Sequence, residues 1–533
     1  MKLSFIGADH EVTGSCHCLE ACGKNIRIDY GMEQGINDFL NADPPFSAAA
    51  TDYVFITHAH IDHTGLLPLL YRDGFRGRIY ATAATTELCG IMLRDCAHIQ
   101  EADAEWLNRK RKRAGGEETE PLYTMQDAEG VLQLFTPCHY GERVHVAEGI
   151  DIRFIDAGHL LGSASIEVFL KEDGVEKKLV FSGDIGNLNQ PLIKNPTYPT
   201  TADYVIMEST YGDRSHGPKP DYERSLAGII AETLSRGGNV VIPCFAVGRT
   251  QEVLYFLRKI RADGMVPGFE KVDVWLDSPL AIEATRIFDE QTRECFDDET
   301  LALMDKGVNP IQFPGLKYSI TAEDSKRINE DPSPKVILSA SGMCDAGRIR
   351  HHLKHNLWRS DSTVVFAGYQ AVGTLGRSLL DGAKNVKLFG EDIHVAARIC
   401  RIDGISGHAD REGLLRWISA FTEKPRKVFV VHGEDLTSDL FASTLRNRLS
   451  LDAEAPYSGS VFDLAKGAWV TRAAPRRVEK LENKTSRAGA VFARLIAAGQ
   501  RLMAVIKQNE GLANKELAKF ADQINALCDK WQR

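Results

Sequence analysis

The sequence predicts an α/β fold in which one α/β domain is interrupted by a second and then resumes. Three observations carry this. Short apolar runs that end in polar, glycine-containing turns fill residues 1–60 and 150–210. From about 210 to 395 strands alternate with helical segments, the pattern of βαβ units on a mostly parallel sheet. Near 396 the first pattern returns, and RKVFVVHGE at 426–434 is again a strand that ends in histidine.

Taken in order, KLSFIGA, CHCLEAC and KNIRIDYG are brief strands separated by Gly, Asn and Asp. YVFITHAH is nearly all apolar until its polar end, as a strand buried on both faces is. Residues 62–73 and 84–113 read as helices. The basic run RKRKR at 109–113 reads as a solvated face ahead of the turn GGEETE. GIDIRFIDAGH, ASIEVFL, KKLVFSGDIG and DYVIMESTYGD follow as strands. The middle region then sets helices at 221–236, 249–262 and 281–290 among the strands NVVIPCF, VDVWL, KVILSAS, TVVFAGY and NVKLFG. The segments are therefore 1–208, an insertion at 209–395, a return at 396–466, and an extension at 467–533. The extension opens basic (Arg472, Arg476, Arg477, Lys480, Lys484 and Arg487 against Glu479 and Glu482) and continues with helical spacing.

Composition narrows the classes. The 533 residues carry 64 Lys and Arg against 73 Asp and Glu, a formal charge of −9, which excludes a uniformly basic nucleic-acid coat but not a local basic groove. No apolar stretch reaches the roughly 18 residues of a membrane helix. The opening MKLSFIGADHEVTGS lacks the apolar stretch of a secretory signal. Eleven scattered cysteines, an odd number, predict reduced thiols and a cytoplasmic setting. Cys16, Cys18 and Cys22 have no matching half with zinc-finger spacing and read as structural.

The chemistry is concentrated in THAHIDHTG at 57–65. His58, His60, Asp62 and His63 crowd one strand end, and imidazoles with a carboxylate suit zinc or a similar divalent ion. By chance such a string occurs in about one chain in a thousand of this length. Further ligands belong at other strand ends: His159 in DAGHLLGSA and Asp184 in SGDIG, each beside glycines that admit close backbone approach. Asp29 also ends a strand and reads as a group that orients a histidine rather than a ligand.

These motifs resemble the metallo-β-lactamase fold superfamily, and within it the β-CASP nucleases, the group of ribonuclease J and the pre-mRNA 3′-end-processing endonuclease. Glu208 in MESTYGDR, His408 in GISGHAD and His432 in VVHGE match that family's motifs A, B and C. AVGRTQE (246–252), SASGMCDAGR (339–348) and GYQAVGTLGR (368–377) resemble its inserted domain, and the likeness covers about residues 1–465. It implies an αββα sandwich with an inserted β-CASP α/β domain and a helical tail. It implies two divalent ions, zinc first with manganese or iron accepted by the same ligands. One is held by His58, His60 and His159, the other by Asp62, His63 and His432, with Asp184 between them. His408 is then the general acid, oriented by Glu208. The implied reaction is hydrolysis of single-stranded RNA, internally, from the 5′ end or both, by a cytoplasmic enzyme that forms a homodimer.

Arg249, Gln251 and Arg377 are candidate contacts to phosphates or bases, and Ser339, Ser341 and Gly342 candidate donors to a phosphate. A β-lactam hydrolase is about half this length and usually has Cys at the place of Asp184. A small-molecule metallo-hydrolase has no use for the insertion or His408. A DNA nuclease of the superfamily generally lacks the motif C histidine. A silent scaffold loses ligands, whereas all seven are present here. The acidic total and the nucleic-acid motifs are reconciled by two cations, which the formal sum leaves out, and by basic residues gathered at 109–113, Arg249, Arg377 and the tail.

Overall fold

The computed structural model describes residues 1–35, 37–114, 117–217, 221–290, 293–402, 406–478, 499, 502–503, 505–506 and 514–531. Two large sheets face each other. The first has eight strands, in the order Ala468–Thr471, Val461–Asp463, Lys2–Gly7, Cys16–Ala21, Lys24–Ile28, Tyr53–Phe55, Arg78–Thr82 and Phe135–Cys138. The second has seven, in the order Ala453–Glu454, Lys427–Val431, Tyr204–Glu208, Val175–Phe181, Ala164–Glu172, Ile150–Asp156 and Arg143–Ala147.

Alternation along the strands builds three layers of core. Leu3, Phe5, Leu19, Ile26 and Phe55 of the first sheet meet Phe154, Ile166, Phe181, Ile206 and Phe429 of the second. The intervening residues Val205, Met207, Val428 and Val430 point the other way, onto Leu414, Trp417, Ile418, Phe441 and Leu445 of the helices Arg411–Ser419 and Asp435–Leu449. On the far face of the first sheet Val54, Ile56, Ile79 and Ala81 pack on Leu67, Leu70, Leu88 and Leu93. Strands buried on both faces read as continuous apolar runs for this reason. Each fully buried Phe or Leu stabilises the sandwich by about 1.5–3 kcal/mol. The architecture is thus αββα.

A third sheet of six strands, all parallel, runs in the order Leu316–Tyr318, Val274–Leu276, Val336–Ser339, Val240–Pro243, Thr363–Phe366 and Arg398–Arg401. It is the inserted α/β layer. It draws on chain beyond residue 395, because Arg398–Arg401 pairs with Thr363–Phe366 as its edge strand. At the other end, Ala468–Thr471 is the outermost strand of the first sheet. Trp469 packs there on Phe5, Phe429 and Phe462 at 6.1, 5.6 and 5.1 Å between ring centroids. The body therefore extends to Arg477 rather than stopping at 466. The second compact unit begins at Val478 and includes the helix Asn514–Trp531. Residues 479–498, with Lys480, Lys484 and Arg487 of the expected basic stretch, lie outside the described residues.

Among the described residues no helix is long and apolar enough to cross a membrane, and the described cysteines are all free thiols.

Candidate metal centre

Seven candidate ligands, with Glu208 beside them, converge where several strands end. His58, His60, Asp62 and His63 follow Tyr53–Phe55, and the short helix Ile61–Thr64 turns Asp62 and His63 back toward the first two histidines. Asp184, Glu208 and His432 follow Val175–Phe181, Tyr204–Glu208 and Lys427–Val431 or end them; these are adjacent parallel strands of the second sheet, so their C-terminal ends lie side by side. His159 enters from the turn after Ile150–Asp156.

Two turns show why the local sequence is what it is. Gly183 has φ +56°, and a Cβ there would sit 2.8 Å from Thr57 Cβ, so only glycine brings the SGD turn against the histidine loop. His432 has φ +49°, an uncommon left-handed conformation for a non-glycine residue. It is held by its N–H donating to Ala8 O (2.7 Å) and its carbonyl accepting from Ser209 N (3.1 Å).

The seven groups form two sets around Asp184. His60 Nδ1 lies 3.0 Å from His58 Nε2 and 3.3 Å from His159 Nε2. Asp184 Oδ2 is 3.4 Å from His58 Nε2 and 3.6 Å from His159 Nε2. On the other side His63 Nε2 and His432 Nε2 are 3.1 Å apart, and Asp62 Oδ2 is 3.7 Å from His432 Nε2. Asp184 Oδ1 faces this second set, 3.4 Å from His63 Nε2 and 3.6 Å from His432 Nδ1.

These separations fit divalent cations. Ligands about 2.0–2.1 Å from a tetrahedral ion lie about 3.3 Å from one another. A neutral imidazole has one donor and one acceptor, so facing ring nitrogens cannot all satisfy each other. Asp184 Oδ1 is buried with no hydrogen-bond partner, although it points at two histidines. Divalent metal binding among these side chains would answer all three observations.

Supporting groups fix the rings. Asp29 Oδ2 accepts from His63 Nδ1 (2.7 Å) and from Thr57 Oγ1 (2.8 Å), and Oδ1 accepts from Thr57 N (2.8 Å). Thr57 Oγ1, 3.1 Å from His58 Nδ1, accepts that ring's N–H and leaves Nε2 as the free lone pair. Thr210 Oγ1 lies 3.2 Å from His432 Nδ1. Burial, with neighbouring histidines, lowers the pKa of His58, His60 and His159 and keeps them neutral, the state a ligand needs. Burial alone would raise Asp184, but His432, His63 and His58 hold it well below the ordinary carboxylate value.

His408 stands at the open side. Its Nδ1 is 3.3 Å from Glu208 Oε1 and its Nε2 is 3.9 Å from Asp184 Oδ2. Burial disfavours the charged ring, yet Glu208 and Asp184 outweigh it and raise the pKa to about 9. Cations beside Asp184 would bring that value down. Glu208 is 1% exposed and accepts from Ile185 N (2.5 Å) and Thr210 N (3.3 Å). The His408 segment is pinned to the Asp184 turn through Ala409 N to Ile185 O (2.7 Å) and Asn187 N to Gly407 O (3.1 Å).

The expected nucleic-acid contacts fare differently. Gln251 is fully buried; its Oε1 accepts from Gly248 N (2.7 Å), and its Nε2 donates to Thr285 Oγ1 (3.0 Å) and Ala246 O (3.2 Å). It caps a helix, and its amide is spent on these internal bonds. Ser339 is likewise buried, donating to Asp277 O at 2.7 Å. Arg249 is ion-paired with Glu252, and Arg377 with Asp381 at 2.9 Å. Gly342 lies buried under the Phe245 ring. Ser341 is partly exposed in its loop. The groove is therefore not lined by free guanidinium groups from Arg249 and Arg377. Thr57, Thr210 and the buried His17, which lines the same recess, escaped sequence reasoning. Thr57 directly precedes the motif, but an isolated threonine carries no signal of its own.

Comparison with known proteins agrees with this geometry. Residues 250–379 match the Beta-Casp domain, and residues 392–456 match the Zn-dependent metallo-hydrolase RNA specificity domain. Ribonuclease TTHA0252 of Thermus thermophilus is 38% identical over 436 residues, covering 82% of this chain and 94% of that protein. The chain belongs to the β-CASP metallo-β-lactamase family. Two further members are transcription termination factors FttA. That of Methanosarcina mazei is 31% identical and that of Methanocaldococcus jannaschii 30%, over 85% and 86% of this chain and 70% of each relative. The β-CASP match covers four strands of the six-stranded parallel sheet, and the second match begins just ahead of its edge strand Arg398–Arg401 and runs through His408 and His432.

Proposed function

We propose that this β-CASP protein is a cytoplasmic, metal-dependent ribonuclease that hydrolyses phosphodiester bonds of single-stranded RNA with two divalent ions, zinc by default. The observation that carries the reading is Asp184, whose two oxygens face two separate histidine sets. Family membership and the ribonuclease among its relatives support RNA as the substrate. In this reading His58, His60 and His159 would hold one ion and Asp62, His63 and His432 the other, with Asp184 serving both sets. When bound, such a pair neutralises phosphate charge and makes a water acidic enough to attack phosphorus.

The chain's own part is orientation and proton transfer. Asp29 and Thr57 hold His63 and His58 with their Nε2 lone pairs inward. Glu208 accepts from His408 Nδ1–H, which leaves Nε2–H facing the cleft to protonate the departing O3′. Digestion of 5′-labelled and 3′-labelled RNA by the unmodified chain, Asp184→Ala and His408→Ala tests this and also reads whether cutting is internal or from the 5′ end. Equal cleavage by all three overturns the mechanism. Light scattering at micromolar concentration tests the homodimer expected by analogy.

A further inference from the structure

Two aromatic side chains stand half out of the inserted sheet at its C-terminal edge. Phe245 is 50% exposed and Tyr369 56% exposed. Phe245 follows the strand Val240–Pro243, and Tyr369 follows Thr363–Phe366, its parallel neighbour. The next strand outward, Arg398–Arg401, is also parallel and leads into the segment that carries His408. Neighbouring strands are about 4.8 Å apart. Tyr369 therefore springs from one strand, and Phe245 from two strands, beyond the one that delivers the general acid. The C-terminal edge of a parallel sheet is where open α/β layers receive ligands.

The Phe245 ring and the Tyr369 backbone are held from behind. A Cβ on Gly342 would sit 3.3 Å from Phe245 Cδ2, so the ring rests on bare backbone. Gln370, buried beside Tyr369, donates to Gly342 O and Tyr369 O, each at 3.0 Å, and ties the two loops together. The path continues to the reaction centre. Gly248, three residues after Phe245, lies against Leu160 beside His159. Tyr211 is 6.1 Å from the His408 ring.

We propose that Phe245 and Tyr369 are a stacking platform for two unpaired bases of the RNA strand next to the scissile phosphate. This rests on the RNA-hydrolase reading and deepens it. Stacking suits the place because Arg249 and Arg377 are already paired with carboxylates, so grip must come from another source than free guanidinium groups. Every base has a π-face, so such a platform binds single strands with little regard for sequence. A duplex, whose bases already stack on one another, gains nothing from it.

The test is equilibrium binding by the full chain in a His408→Ala background with divalent metal present. The probes are a single-stranded RNA of about ten nucleotides and the same backbone with abasic positions. Removing the bases weakens binding by the parent chain roughly 5- to 150-fold. Phe245→Ala and Tyr369→Ala each weaken binding of the normal RNA by roughly fivefold or more and leave abasic RNA unchanged, and Tyr369→Trp restores it. Equal losses on both probes, or no loss on either, overturn the platform while leaving the hydrolase reading intact. A parent chain that binds neither probe overturns the RNA reading, and the platform with it.

Discussion

His408 Nδ1 lies 3.3 Å from Glu208 Oε1, and in the proposed mechanism this contact orients the imidazole as the general acid. Glu208 favours the charged ring, and His408 is raised to about 9. Glu208→Gln removes that charge, so the pKa falls and the protonated form disappears at lower pH. The alkaline limb of kcat should move down by one unit or more, with kcat at neutral pH lower by about 10²-fold, the scale of general acid catalysis. Steady-state rates from pH 6 to 10 check this. An unmoved limb sinks the assignment.

Asp29 and Asp184 are separable by metal titration of the stripped protein. Asp184 faces both histidine sets, so Asp184→Asn weakens uptake of both ions. Asp29 bonds His63 directly and reaches His58 only through Thr57 Oγ1, so Asp29→Asn weakens the ion at His63 by about 10- to 100-fold and the other by less. Isothermal titration with zinc reads the two stoichiometries. A uniform effect of Asp29→Asn on both ions would contradict the arrangement.

The sandwich, the insertion and the clustering of the candidate ligands were legible because each rests on local rules. Strands ending in His, Asp or Glu mark one sheet edge, and Asp29 at a strand end bonds one of the histidines. What was not legible is whether a polar side chain is spent inside the protein. Gln251 and Arg249 open a helix in a loop-like motif, and their sequence positions look alike. Only the packing of Thr285 and Glu252 against them decides that Gln251 is buried and Arg249 paired. Edge strands such as Arg398–Arg401 and Ala468–Thr471 are short and half exposed and carry little apolar pattern, so sequence alone does not show which sheet they join.

Gln251→Ala tests that distinction. It leaves the Gly248 N–H without its acceptor and Thr285 without its donor, at a cost of about 1–3 kcal/mol per buried group left unpaired. Thermal unfolding should show a lower midpoint, while RNA affinity of the folded protein stays within twofold. A large loss of affinity with unchanged stability would return Gln251 to the binding surface.

Asp277 governs acid stability in the inserted domain. It is fully buried and accepts from His352 Nε2 (2.6 Å), Ser325 Oγ (2.6 Å) and Arg348 Nη1 (2.7 Å). Burial pushes its pKa up, but these partners outweigh that and bring it from the ordinary 3.8 down to about 2. A carboxyl lowered on folding stabilises the native state above its unfolded pKa, near 4, and loses that contribution as pH falls through the folded value. The amount is about 2 kcal/mol, present at pH 5 and above and gone below about pH 2. Asp277→Asn lacks this titration. In urea melts of metal-stripped protein, the stability gap between parent and variant should therefore narrow by about 2 kcal/mol between pH 5 and pH 2. A gap that stays constant across that window would mean that the carboxylate's charge is not what holds Ser325, Arg348 and His352 together.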